Sequence, residues 1–138
     1  MEKDILPDLM IIDDDPVNNM LCCKIIQQTI PGADVKTFTL PEKGLEHILS
    51  TYSAADAKKA ILFLDINMPH LTGWEVLDRM NYFPEEVKER LRIFMLSSSV
   101  APDDKERADR APLVTGYMAK PLSRIKLQEL YSEWLRAF

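Results

Sequence analysis

Glycine is scarce in this chain: the four residues Gly32, Gly44, Gly73 and Gly116 each lie at least 12 positions from the next. No G-x-G-x-x-G, G-x-x-x-x-G-K or G-x-S-x-G pattern fits that spacing, which excludes glycine-loop nucleotide sites and the nucleophile elbow. The only cysteines, Cys22 and Cys23, are adjacent. That spacing suits neither zinc ligation nor a C-x-x-C redox pair, so both are expected to be reduced helix residues, at least one of them in the core. Long apolar runs are missing too. Leu9-Met10-Ile11-Ile12 stops at three aspartates and the opening Met1-Glu2-Lys3-Asp4 is charged, so no secretion signal or membrane insertion is expected and the protein is expected to be cytoplasmic. Basic charge is also short, with 17 Lys plus Arg against 22 Asp plus Glu and a net charge of −5. A chain whose main task is gripping a phosphate backbone would show the opposite balance, so no direct nucleic acid partner is expected.

What is present reads as one domain. The 138 residues, 46% hydrophobic and 28% charged, match average globular composition and are enough to bury a core without a disulfide or metal staple. Short β-type apolar runs alternate with longer segments of helical period, the signature of a parallel sheet covered by helices. Five units fit, with strands near Leu9 to Ile12, Asp34 to Phe38, Ala60 to Asp65, Ile93 to Ser97 and Thr115 to Met118. The third, apolar until its last residue, is the expected central strand. Helices are expected from Pro16 to the Pro31-Gly32 stop, from Pro41 with Leu45, Ile48 and Leu49 as a buried stripe, and after Gly73 with Trp74, Val76, Leu77 and Met80 inward. Pro84 to Arg90 adds a short helical turn, Pro102 to Ala111 a polar helix, and Ser123 to Ala137 a last helix with Ile125, Leu127, Leu130, Trp134 and Leu135 on or near one face. No linker or second compositional block follows, so residues 1–138 are expected to be a single domain without an output domain.

In a doubly wound α/β fold, ligands bind at the carboxyl ends of the strands, and the polar residues fall there. Strand one ends in Asp13-Asp14-Asp15, strand three in Asp65, strand four in Ser97-Ser98-Ser99 and strand five in Lys120-Pro121. If strands one and three are neighbours, about 4.8 Å apart, two ionised carboxylates there repel by roughly 3 kcal/mol at an effective dielectric near 20. A divalent cation relieves this. Oxygen ligands alone favour Mg²⁺ over zinc, since His47, Cys22 and Cys23 do not fall at strand ends.

These motifs, in this order, resemble the receiver domains of two-component response regulators over essentially the whole chain. Ile11-Ile12-Asp13-Asp14-Asp15 is similar to the acidic pair after strand one, and Leu64-Asp65-Ile66-Asn67-Met68-Pro69 to the phosphoacceptor strand and its D-x-x-M-P. Gly73 matches the glycine opening helix three, Ser97-Ser98 the hydroxyl followed by a small residue, and Tyr117-Met118-Ala119-Lys120-Pro121 the aromatic-x-x-Lys-Pro. The resemblance implies a flavodoxin-like five-stranded parallel sheet of order 2-1-3-4-5, doubly wound with five helices, and a cis Lys120-Pro121 peptide. It implies that Asp65 takes a phosphoryl group from a phosphohistidine on a sensor histidine kinase or histidine phosphotransfer protein. Asp14, Asp65 and the Asn67 carbonyl would ligate Mg²⁺, with Asp13 acting through a water or holding the metal's surroundings. Ser97 and Lys120 would bind phosphoryl oxygens, Ser97 and Tyr117 would switch on phosphorylation, and Ser99 and Asn67 would flank the acyl phosphate and modulate its hydrolysis. Signalling would then proceed by contact with a downstream target protein, as a switch and not as a metabolic enzyme.

Blander roles compete at each position. A single Asp at a strand end is usually a turn or cap residue, the reading preferred for Asp15 before Pro16, whereas a run of three opposite Asp65 favours a metal site. His47 and His70 read as packed or solvated. A small Mg²⁺-dependent phosphatase or phosphotransferase of the haloacid dehalogenase type is disfavoured because its general acid, two residues after the nucleophile, is here Asn67, which cannot protonate a leaving group. A degenerate receiver acting as a scaffold is disfavoured by the complete acidic set, hydroxyl and lysine. Departures from the family pattern are Ser97 in place of the commoner Thr, Pro112 in the stretch before strand five, and a slightly long connector from Phe83 to Arg92.

Overall fold

The computed structural model describes residues 6–98 and 101–137, with side chains through residue 133. Strands β1 (Asp8–Ile12), β2 (Val35–Phe38), β3 (Ala60–Asp65), β4 (Leu91–Ser97) and β5 (Val114–Ala119) form one sheet in the order β2-β1-β3-β4-β5. Every pairing is parallel. Six helices cover it: α1 (Pro16–Thr29), α2 (Pro41–Tyr52), α3 (Gly73–Met80), α4 (Glu85–Glu89), α5 (Pro102–Arg110) and α6 (Arg124–Ala137). The sixth, beyond the five of the family pattern, is α4, which falls where a short helical turn is expected at Pro84 to Arg90, and its Val87 is buried.

Alternation along the strands sends their side chains into two cores. Met10, Ile12, Leu62, Leu64, Ile93 and Met95 pack with Leu45, Ile48, Val76, Leu77 and Met80 of α2 and α3. On the other face Leu9, Ile11, Ile61, Phe63 and Leu96 pack with Cys22, Ile26, Leu127 and Leu130 of α1 and α6. β3 is buried at all six positions, as a central strand covered on both faces must be. Some expected inward positions lie outside: Leu49 is 39% exposed and Ile125 69% exposed, because each sits at the edge of its helix's apolar stripe, where packing decides. Trp134 and Leu135 lie beyond the described side chains.

Caps and turns follow local chemistry. Asp15 is the N-cap of α1, its Oδ1 accepting from Val17 N at 2.9 Å, which is the role expected for it. Thr72 and Glu75 form a reciprocal capping box on α3, and Ser123 Oγ accepts from Lys126 N at the start of α6. Gly32 closes the turn after α1 with φ 88, a left-handed conformation that side chains disfavour. Near Pro112 the register slips, so that Ile93 pairs with Val114 but Phe94 with Gly116. The hydroxyl oxygen of the skipped residue, Thr115, accepts from Ile93 N at 3.3 Å.

At the amino ends of the strands, polar contacts fasten the sheet. The Arg90 guanidinium donates to the carbonyls of Tyr52 (2.5 Å), Ala54 (2.7 Å) and Ala55 (3.1 Å). Tyr52 Oη donates to Asp8 Oδ2 at 2.9 Å, and Lys58 pairs with Asp8 Oδ1 at 3.4 Å. No described helix is long and apolar enough to cross a membrane.

Candidate functional site

Because β1, β3, β4 and β5 all point the same way, their last residues converge on one rim. β1 delivers Asp13 and Asp14, β3 Asp65, β4 Ser97 and β5 Lys120. Carboxylate oxygens of Asp13, Asp14 and Asp65 lie within 4.8 Å of one another, Asp13 and Asp65 buried and Asp14 exposed. Lys120 Nζ lies between the two buried ones, 2.8 Å from Asp13 Oδ2 and 3.1 Å from Asp65 Oδ1. Its backbone N–H donates to the Ser97 carbonyl at 2.8 Å, and the Lys120-Pro121 peptide that follows is cis.

Asp13 is bound on both oxygens. Oδ1 accepts from Asp15 N at 2.9 Å, and Oδ2 accepts from Asn18 Nδ2 at 2.7 Å as well as from Lys120. Its carbonyl accepts from Nδ2 of the buried Asn19 at 2.9 Å. Asp65 has fewer partners. Its Oδ1 takes Lys120 and, at 3.3 Å, Asn67 N, while Asn67 itself is exposed beside it. Burial first, and then the neighbouring Asp13 charge, push the Asp65 carboxyl up to about 6, against the pull of Lys120 and the Asn67 amide. Burial works to lower the Lys120 ammonium, but its bonds to Asp13 and Asp65 outweigh it and the net direction is up. The ammonium is therefore held charged. Burial and Asp13 raise the Cys22 thiol, which keeps it a core residue and not a nucleophile.

This donor set fits Mg²⁺. Three carboxylates face one ammonium, all the donors are oxygens, and the exposed Asp14 leaves the cluster open on the solvent side. Hard oxygen ligands around an open position suit a small divalent cation that retains waters.

Gly73 positions Asp65 from below. Its N–H donates to the Ile66 carbonyl at 2.9 Å, and a Cβ on it would meet the Asp65 carbonyl oxygen at 2.6 Å and Ile66 Cα at 3.0 Å. Ser97 is fully buried at the end of β4, and Tyr117 is half-buried against the core that holds α2 and α3. Ser99 and Val100 lie outside the described residues.

Two roles were missed in the sequence. Asn18 and Asn19 hold Asp13 from the first turn of α1, and the only available signal is a polar pair where an apolar stripe would begin. The polar composition of Pro102 to Ala111 leaves its alanines as the candidates for core contact from α5. Ala108 is indeed buried, but Trp74 Nε1 also donates to Asp104 Oδ1 at 3.2 Å, and the Arg107 guanidinium lies 4.6 Å from the Trp74 ring centroid. A separate cavity of about 430 Å³ at the other end of the sheet, lined in part by Asp34, Lys36, His47 and Thr51, holds none of the rim residues.

Known proteins match this arrangement. Residues 9–132 fit the response regulator receiver domain family. A response regulator receiver protein from Dyadobacter fermentans is 30% identical, with 93% of this chain and 97% of that one covered and a TM-score of 0.84. A two-component response regulator from Cytophaga hutchinsonii is also 30% identical, over 95% of this chain and 98% of that one, with a TM-score of 0.86. A CheY-like receiver domain protein from Methanospirillum hungatei, 20% identical over 96% and 95%, shares the fold with a TM-score of 0.74. No curated protein sequence matches. A family match across nearly the whole chain, on a sheet of order 2-1-3-4-5 whose rim gathers the acidic cluster and Lys120, makes this chain a member of the response regulator receiver domain family, the phosphoacceptor switches of two-component signalling.

Proposed function

We propose that Asp65 is the phosphoacceptor of a cytoplasmic switch that is charged by a phosphohistidine on a sensor histidine kinase or histidine phosphotransfer protein and signals by binding a downstream target protein. The observation that carries this reading is the bridge of Lys120 to both Asp13 and Asp65 beside the exposed Asp14. An Asp65 carboxylate oxygen forms a bond to phosphorus as the bond from phosphorus to the histidine nitrogen breaks, and the imidazole leaves with the electron pair. Asp14, Asp65 and the Asn67 carbonyl would hold Mg²⁺, which when bound offsets the charge of carboxylate and phosphoryl oxygens. Asp13, saturated by Asn18, Lys120 and the Asp15 amide, supports the metal's surroundings. Lys120 moves its bond from the Asp65 carboxylate to a phosphoryl oxygen, and the Ser97 hydroxyl donates to another, so catalysis is positioning and charge stabilisation. The assignment of Ser97 and Tyr117 as the switching pair rests on their places at the ends of β4 and within β5, and the face formed by α5, β5 and α6 is the surface a target would read.

Incubation with a small phosphodonor and Mg²⁺ tests the acceptor. Intact mass should rise by one phosphoryl group in the parent and stay unchanged in Asp65→Asn. An undiminished gain in the variant places the acceptor elsewhere, and no gain in the parent favours a scaffold.

A further inference from the structure

Helix α5 is held with little apolar anchoring. Ala108 is its one buried residue, and a single methyl contributes far less than a buried Leu or Ile. Among the described residues, a pair of charged residues one turn apart also ties α5 to the body of the protein. Asp104 accepts from Trp74 Nε1 at 3.2 Å, and Arg107 covers the Trp74 ring at 4.6 Å. Trp74 is in turn fixed to the acceptor strand, because it follows Gly73, whose N–H is bonded to the Ile66 carbonyl at 2.9 Å and whose Cα leaves no room for a Cβ beside the Asp65 carbonyl.

We propose that Trp74, Asp104 and Arg107 form a clasp that holds α5 in its resting position and sets how readily the domain passes into its phosphoryl-bound form. This rests on the reading of Asp65 as acceptor. α5 follows the Ser97 end of β4 in the chain, so drawing Ser97 toward a phosphoryl group pulls on α5. Trp74 cannot follow, since its neighbour is wedged against the Asp65 carbonyl. Relative motion of the two elements must therefore break the clasp. A hydrogen bond at 3.2 Å is lost with a displacement of a fraction of an ångström, unlike the graded loss of an apolar contact. Because it is made by side chains on α3 and α5 alone, the clasp can be tuned without touching the acidic cluster.

The test compares the parent with Asp104→Ala/Arg107→Ala and with Asp104→Asn, each in a Trp134→Phe background so that Trp74 is the only indole. Phosphoramidate with Mg²⁺ is the donor, intact mass gives the rate, and amide exchange over residues 103–110 is measured without phosphate. The double variant should phosphorylate about fivefold to tenfold faster, the combined effect of one hydrogen bond and one cation–π contact. Its α5 amides should exchange faster, and Asp104→Asn, which keeps an oxygen acceptor, should restore the parent rate to within about twofold. Trp74 emission in the phosphorylated parent should move toward that of the unphosphorylated double variant. An unchanged or lower rate in a folded double variant, or unchanged exchange over 103–110, overturns the clasp. Should the double variant unfold, Trp74→Phe, which keeps an aromatic ring for Arg107 and loses the indole N–H together with the fused second ring, decides by the same exchange. If the parent gains no mass, the acceptor reading fails, and the exchange comparison still decides whether the clasp holds α5.

Discussion

Gly73 and Asp65 are in backbone contact: a Cβ on the first would lie 2.6 Å from the carbonyl oxygen of the second, with Ile66 Cα at 3.0 Å. Neither neighbour is the end of a flexible side chain. Gly73→Ala should therefore displace the end of β3, cost about 1–3 kcal/mol as an overpacked site, and slow phosphoryl gain at Asp65. Urea unfolding with a parallel mass assay checks both. Full stability with an unchanged rate would mean that the loop yields freely.

Lys120 places its ammonium between two buried carboxylates. Lys120→Met should lower stability by about 3 kcal/mol, toward the lower end of the range for breaking a buried pair because Lys120 keeps some solvent contact. Adding Asp13→Asn should recover part of the loss, since one uncompensated charge is then removed. A double-mutant cycle in urea would show this coupling, and strict additivity would argue that the bridge contributes nothing.

Mg²⁺ should bind at millimolar concentration and shift the backbone amides of residues 13–15 and 65–67 while leaving those of α2 unmoved. Asp14→Asn should weaken this binding more than it disturbs the fold, since Asp14 is exposed. At a hundredfold excess over its dissociation constant the ion should add about 2.7 kcal/mol to unfolding stability. Absence of any response near the cluster would remove the metal from the proposed reaction.

Glu75 gives the fold a pH dependence of known sign. Its carboxylate accepts the Thr72 backbone N–H at 3.0 Å in the α3 capping box, and this bond, with the Thr72 hydroxyl next, lowers its pKa from the ordinary value of 4.5. The folded protein thus binds its proton more weakly than the unfolded chain does. The box is intact above pH 4.5, and its contribution is lost as pH falls through the depressed folded value. Thr72→Ala should cost about 1 kcal/mol at neutral pH and return the Glu75 titration, followed by carbon-13 carboxyl shifts, toward 4.5.

Hydrogen exchange without phosphate should be faster over 103–110 than over 21–28. The second stretch carries the fully buried Ile26 and the buried Cys22, whereas α5 buries Ala108 alone. Phosphorylation should change protection in the first stretch and leave the second unaltered. Equal protection in both would place the responsive element outside α5.

Most of the architecture was legible because its signals are local. The first five of the six buried positions in β3 need only a run of apolar side chains, and Asp65 announces itself as the first polar residue after that run. Pro16, Pro41 and Pro102 mark helix starts through their fixed φ. What was not legible depends on elements meeting at a particular angle. Leu49 and Ile125 share the spacing of their helices' apolar stripes, yet the width of each stripe is set by the neighbouring helix. The Trp74 to Asp104 bond spans 30 residues and joins a residue expected in the core to one expected in water. Nothing in the sequence marks Asn18 among helix polar residues, because its role depends on where Asp13 sits. The gathering of Asp13, Asp65 and Lys120 required the order of the strands, which the family resemblance supplied and periodicity alone did not.

The fastening of Arg90 to three carbonyls at and just past the end of α2, together with Tyr52 and Lys58 on Asp8, makes the two ends of the sheet mechanically unequal. The amino ends of the strands are tied across chain segments far apart in sequence. At the carboxyl ends the tie is Lys120, and its bonds to Asp13 and Asp65 are the contacts that phosphoryl transfer would rearrange. A disturbance introduced at the rim is therefore expected to spread sideways into α5 and β5 and not lengthwise through the sheet. A reporter group placed in the turn after Tyr52 should register unfolding but remain blind to phosphorylation, which makes that turn a neutral anchor point for surface attachment.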